Sequence, residues 1–339
     1  MTGHQNNADE AVAMKNLARQ ALIAWGVEDS DPVLLKYREN VVFRVVMPSG
    51  LPAALRIHRF GYHSDAALRS ELQWMNYLQA SGIPTPRPIA ALSGELFVHA
   101  RTEASSQSRQ VDCMSWVEGR PLGQSGVPLN MSGDEAKRSF SALGRTIARM
   151  HNLTEAWPLP CDFERHAWDF GAFFSENLLW GPFTNSPLLD HALRDLVSKS
   201  REKAMGALVG FEKSARTFGL IHADLVRENI LMSEDHSAQV IDFDDCGFGW
   251  RMYDVAVSLY QNREDPLFDV IECALLEGYA SERTLTARDI KALPLFTALR
   301  AFAMIGWMQS RADSDAARET GARMSKKAAE TATWYLDHE

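Results

Sequence analysis

Between residues 33 and 58 the chain alternates short apolar runs with turn residues: "VLLKY", "VVFRVVM" and "AALRIH", the last two separated by "PSG". β-Branched and aromatic runs of this length suit a pleated, half-buried surface, so the pattern predicts consecutive strands of a small antiparallel sheet. A polar-faced helix over about residues 9–26 precedes them and ends before the turn-rich "GVEDSDP". The period then changes. Leu68, Leu72, Met75 and Leu78 recur at helical spacing in "SDAALRSELQWMNYLQASG", which Gly82 stops, with Pro84 shortly beyond. Two more apolar runs, "ELFVHA" and "VDCMSWV", flank the polar "RTEASSQSRQ", after which the pattern is helical almost to the end. Ser132 and Glu135 form a capping box ahead of Phe140, Leu143, Ile147 and Met150 on one helix face. The expected organisation is α+β: a β-rich lobe over residues 1–115, a connector over 116–120 near "WVEGRPL", and a helical lobe over 121–339.

One interruption of the helical half stands out. "IHADLVRENI" crowds His222, Asp224, Arg227, Glu228 and Asn229 together, and "IDFDD" adds Asp242, Asp244 and Asp245 soon after. Between them "ILM", the polar "SEDHS" and "AQVI" predict a strand, a turn and a returning strand. A hairpin folded about its middle sets residue 231 opposite 240, and hence Asn229 opposite Asp242, with Asp224 in the loop just before. That arrangement gathers an amide oxygen and carboxylates, the hard oxygen donors that Mg²⁺ requires, beside a carboxylate able to accept a proton.

Composition narrows the function. With 339 residues, 46% of them hydrophobic and 23% charged, the chain has the balance of a globular protein of two lobes or two cores. A net charge of −9 argues against broad binding to nucleic acid or an anionic membrane. Cys113, Cys161, Cys246 and Cys273 are widely spaced without a C-x-x-C pair, which fits reduced thiols in a cytoplasmic protein. The polar start, "MTGHQNNADEA", lacks the pattern of a secretory signal, and the apolar "ALRAFAMIGWM" is broken by Arg300 and too short to span a bilayer.

"HADLVREN" resembles the kinase catalytic-loop pattern H-x-D-L-x-x-x-N, and "IDFDD" stands where kinases keep a magnesium-binding Asp. The Ala after the His, "IDFDD" in place of "DFG", and the following "GFGWRMYDVA" are similar to the aminoglycoside phosphotransferase family, and within it to type II homoserine kinases and RdoA-type stress kinases. The resemblance covers roughly residues 30–310. It implies a protein-kinase-like two-lobed fold that uses ATP and Mg²⁺.

The resemblance also implies roles at matching positions. Asp224 accepts or orients the proton of the acceptor hydroxyl; Asn229 and Asp242 hold the metal, with Asp244 a further candidate for metal or substrate and Asp245 either a participant or a solvated acid. Arg56 stands in the place of the kinase lysine that pairs with nucleotide phosphates, with Glu71 to orient it. Asn40 sits at the turn where kinases place glycines. Ser115, Trp116 and Val117 mark the connector that recognises the adenine edge, although Trp116 is equally expected as an aromatic packed between lobes. His222 is expected to hold the loop backbone, Asp254 to accept hydrogen bonds from it, and His58 and Arg59 to lie on the surface.

Val226 replaces the lysine of protein Ser/Thr kinases, and no activation segment follows "IDFDD". Both departures favour a small-molecule hydroxyl acceptor, an amino alcohol such as homoserine first, with a protein acceptor of the RdoA type, an aminoglycoside, or nucleotide binding without turnover as alternatives. Arg300, Trp307 and Arg311 either line the acceptor site or simply pack.

Overall fold

The computed structural model describes the whole chain except residues 1, 38–39, 102–106, 176–177, 182, 185, 187–188, 311–314 and 339, together with the side chains of 2–9, 315–320 and 322. Arg311 and part of "RTEASSQSRQ" therefore lie outside the described residues. The chain divides into two compact units: Met1–Glu118 with Leu159–Glu164, and Gly119–Pro158 with Arg165–Glu339.

In the first unit α1 (Thr2–Leu22) precedes β1 (Val33–Tyr37), β2 (Val41–Val46) and β3 (Pro52–Ile57). Helix α2 (Asp65–Ala80), β4 (Phe97–Ala100) and β5 (Arg109–Ser115) complete it. The strands form one antiparallel sheet in the order β1-β2-β3-β5-β4. Along β2 the inward positions Val41, Phe43 and Val45 are buried while Arg44 and Val46 are exposed, the two-residue period of a sheet with one covered face. The covering element is α1: Leu17, Ala18, Ala21 and Leu22, with Trp25 beyond them, join Phe43, Leu55, Ile57, Val111 and Cys113 in one apolar core. Helix α2 is capped at its start by Ser64, whose side chain accepts from the Ala67 N–H at 3.0 Å. The return of residues 159–164 had no sequence signal. It is fixed by the Glu164 N–H, which donates to Ser70 Oγ at 2.8 Å, and by Ser64 Oγ, which donates to Glu164 Oε1 at 3.1 Å.

The second unit holds β6 (Arg120–Pro121), α3 (Gly133–Ala156), β7 (Ala167–Trp168), α4 (Phe170–Phe174), α5 (His191–Val209), β8 (Phe218–Ile221), β9 (Ile230–Met232), β10 (Ala238–Val240) and β11 (Gly247–Trp250). After these come α6 (Arg251–Asn262), α7 (Phe268–Glu282), α8 (Ala287–Lys291), α9 (Leu293–Gln309) and α10 (Asp315–Asp337). The Ser132–Glu135 capping box is formed at the start of α3. Helices α3 and α7 meet backbone to backbone: a Cβ on Gly144 would stand 2.1 Å from the Leu275 carbonyl oxygen, and one on Gly278 2.1 Å from that of Ser141. Only glycine permits that approach.

The apolar stretch around Arg300 is longer than its sequence suggested. Ala287–Gln309 has the length and composition of a membrane span, but 72% of its most apolar part is buried inside the structure, as in a core helix.

Two short sheets frame the loop from His222 to Asn229. β8 pairs with β11 and β11 with β7; β9 pairs with β10 and β6. The hairpin forms, but its register is one residue from the predicted one: Leu231 faces Gln239, not Val240. The Ile241 N–H accordingly donates to the Asn229 carbonyl at 3.0 Å, so Asn229 faces Ile241 and Asp242 lies one position further on. The cause is the five-residue turn Ser233–Ser237. It closes through Ser233 N–H to the Ser237 carbonyl and takes up its odd residue at His236, in the left-handed region at φ 62°.

Candidate active site

β8 delivers the chain directly into His222, Ala223 and Asp224, and the loop is held from several sides. Asp254, on the first turn of α6 and completely buried, accepts from the N–H groups of His222 at 3.0 Å and Ala223 at 2.6 Å. It also pairs with His151 Nε2 at 3.1 Å, while His151 Nδ1 meets the Tyr279 hydroxyl at 2.9 Å. Burial, against the pull of Asp254, holds the His151 imidazole down at about 4, so it is neutral near pH 7. His222 is buried as well. Its Nδ1 accepts from the Asp224 N–H at 3.2 Å, which leaves Nε2 as the donor to the Ile241 carbonyl at 3.1 Å. His222 and Asp254 thus have the backbone-holding positions expected of them.

Arg227 and Glu228 answer for the rest of the crowded charge. The buried Arg227 guanidinium donates to Asn262 Oδ1 at 2.8 Å, to the Val127 carbonyl at 2.7 Å and to Asp265 Oδ2 at 2.7 Å. Glu228 accepts from the Ser125 N–H at 2.5 Å and from Gln261 at 2.9 Å. Both are anchors of the loop.

Asp224 is held by its two oxygens separately. Asn229 Nδ2 donates to Oδ2 at 2.9 Å and to the Asp224 carbonyl at 3.0 Å; Arg300 Nη2 donates to Oδ1 at 2.6 Å. The side chain is still 22% exposed. Two acceptors on Asp224 assign the amide nitrogen of Asn229 to that side and turn its oxygen the other way. Of the three residues left open by their sequence, Arg300 meets Asp224, Trp307 is half-buried on α9, and Arg311 is outside the described residues.

Asp242 is left-handed at φ 66°, a backbone region that costs a non-glycine residue about 1–3 kcal/mol and recurs at functional sites. The segment after it is clamped by its carbonyls: Arg165 donates to those of Asp244 at 2.5 Å and Cys246 at 2.7 Å, and Trp168 Nε1 to that of Asp245 at 2.8 Å. Asp244 is buried. Among the described residues no three His, Cys, Asp or Glu side chains cluster closely enough to hold a metal unaided. A magnesium-type ion does not need such a cluster, because it keeps several waters and is bound through one or two carboxylates plus substrate phosphates. The Asn229 amide oxygen and the Asp242 carboxylate are donors of the required kind.

In the first unit Arg56 and Glu71 meet at 2.8 Å, both buried. The sequence missed their partner. Asp112, directly opposite Arg56 in the β3–β5 ladder, accepts from its Nε at 3.0 Å and Nη2 at 2.7 Å, and pairs with His58 Nε2 at 2.8 Å. Burial alone would raise the Asp112 carboxyl; the Arg56 guanidinium and His58 outweigh it and hold it at about 2. The readable signal was an acid inside the apolar strand "VDCMSWV", which cannot be buried without a cation. His58 corrects the surface assignment: it is 3% exposed, because Asp112 draws it inward, whereas Arg59 beside it is only partly buried. Asn40 is buried and accepts from the Arg59 N–H at 3.3 Å. Ser115 ends β5 with its N–H donated to the Arg87 carbonyl at 2.8 Å and its hydroxyl accepting from the Arg87 N–H at 2.9 Å. Trp116 and Val117 are half-buried, with the Arg44 guanidinium 5.4 Å from the Trp116 ring.

The pattern of the phosphotransferase enzyme family matches residues 34–285, most of the chain. The chain belongs to that family. Among its relatives, an amicoumacin kinase of Bacillus subtilis is 25% identical over 87% of this chain and 84% of its own length. A homoserine kinase of Rhizobium etli is 28% identical over 83% and 77%. The structure of a microcompartment-associated aminopropanol kinase superposes with a TM-score of 0.83 at 28% identity, covering 95% of this chain and 97% of that one. The fold is therefore that of the kinase-like phosphotransferases, and the chain is a small-molecule phosphotransferase acting on a hydroxyl group.

Proposed function

We propose that this phosphotransferase moves the γ-phosphate of ATP to the hydroxyl of a small amino alcohol. The observation that carries the reading is the Asn229 amide, whose nitrogen bridges the carboxylate and carbonyl of Asp224, so that its oxygen is turned away from that carboxylate and would serve as a cation donor. One residue thereby ties the proton acceptor to the metal side. Asn229 and Asp242 would hold Mg²⁺, which when bound would neutralise phosphate charge, with Asp244 a further candidate ligand. Arg56, oriented by Glu71 and Asp112, contacts the nucleotide phosphates, and Asn40 shapes the turn over them. The adenine edge falls to the backbone of Trp116 and Val117, since the Ser115 N–H is already committed to Arg87.

In the transfer the acceptor hydroxyl oxygen bonds to the γ-phosphorus as that phosphorus parts from the β–γ bridging oxygen. ADP leaves with the electron pair, and the hydroxyl proton passes to Asp224. Catalysis of this kind relies on positioning and charge stabilisation more than on covalent chemistry.

The amine on the acceptor is supported by the kinship with homoserine and aminopropanol kinases and by the three carboxylates of residues 242–245. An ammonium there gains a charge-assisted hydrogen bond, about 1.5–3 kcal/mol. Acceptor-dependent ADP release tests this. A primary amino alcohol should exceed its deaminated analogue in kcat/KM by ~10-fold or more; equal rates would remove the amine from the reading.

A further inference from the structure

Arg300 is the single charged residue of α9 and is 3% exposed, flanked by the buried Leu299 and Ala301. Taking a guanidinium out of water costs several kcal/mol unless its partners are well placed, and packing alone would be served better by Leu or Met. Besides Tyr253, its partners are two consecutive residues of the loop: Nη2 donates to Asp224 Oδ1 at 2.6 Å and Nη1 to the Ala223 carbonyl at 3.2 Å. The Trp180 ring lies 5.1 Å from the guanidinium carbon.

Ala223 makes the second contact informative. It is left-handed at φ 65°, a conformation costing an L-residue roughly 1–2 kcal/mol. Its peptide groups are held from both sides, its N–H by Asp254 and its carbonyl by Arg300. Asp224 is likewise held at both oxygens, by Arg300 and by Asn229. A carboxylate has about four lone-pair sites, so each oxygen keeps one to receive the acceptor hydroxyl, in a direction set by its fixed partner.

We propose that Arg300 is a positioning residue for phosphoryl transfer: its fork locks the Ala223 backbone and the Asp224 carboxylate into the orientation that meets the acceptor. The inference rests on the assignment of Asp224 as proton acceptor. A lysine keeps the charge but cannot span both contacts.

The test is a double-mutant cycle of Arg300→Met and Arg300→Lys, each alone and combined with Asp224→Asn, read as kcat, nucleotide affinity by calorimetry, and melting temperature. In the Asp224 background Arg300→Met should lower kcat by ~10²-fold, the scale of a misplaced reacting group, with nucleotide affinity nearly unchanged and Arg300→Lys in between. In the Asp224→Asn background the same change should lower the residual rate by less than about 3-fold, because the proton acceptor that Arg300 positions is already gone. If Arg300→Met does not fold, the lysine variant carries the comparison, with a loss confined to the Asp224 background. Equal losses in both backgrounds, or no loss of kcat, would overturn the proposal. A wild-type protein that transfers phosphate to no small hydroxyl compound would instead refute the functional reading beneath it.

Discussion

Replacing Asp224 by asparagine is expected to lower kcat by ~10²–10⁴-fold, the usual contribution of a positioned general base, while nucleotide affinity changes little. The substitution keeps the size of the side chain and one acceptor oxygen, which can serve Arg300 or Asn229 but not both, while Asp254 still holds the loop backbone, so the loop should stay folded. What disappears is the carboxylate proposed to take the hydroxyl proton. Steady-state rates with calorimetry of nucleotide binding measure both halves. Near-normal turnover would show that the acceptor loses its proton elsewhere, and a collapse of nucleotide affinity would make Asp224 structural.

The largest effect on stability is expected at Asp112. Asp112→Asn strands part of the buried Arg56 guanidinium, and breaking one side of a buried pair typically costs about 3–5 kcal/mol. The pH dependence has a definite sign. The carboxyl sits at about 2 in the folded chain against an ordinary 3.8, so the unfolded chain takes up its proton first as pH falls. The stability it contributes is complete above about pH 4 and is lost as pH drops through about 2, an amount on the order of 2 kcal/mol. Urea titrations across that window should show this loss in the wild type and not in the variant. Equal stability and the same acid profile in both would mean that the Arg56–Asp112 pair carries no net stabilisation.

Much of this was legible because it is local. The β-branched and aromatic runs of β1–β3, the helical spacing of α2 and the Ser132–Glu135 box depend on neighbours in sequence, and the structure has these elements where the pattern put them. The loop from His222 to Asn229 was legible because its residue types are useful together at that spacing only. What escaped depends on partners far along the chain. His58 looks like a surface residue until Asp112, 54 positions later, is set beside it. Arg300 could not be given a role until α9 was laid against a loop 76 positions earlier. The hairpin register was missed for a local reason: the left-handed His236 has no glycine or asparagine to announce it.

The central claim is most directly tested by following the γ-phosphate itself. Purified protein, Mg·ATP labelled at the γ position, an amino alcohol and a generic protein substrate are incubated together, and the label is separated by gel and thin-layer chromatography. The label should pass to the amino alcohol, with little on the added protein or on the enzyme, and the transfer should fall away in the Asp224→Asn variant. Label accumulating on protein Ser or Thr, with no small hydroxyl compound accepting it, would contradict the account.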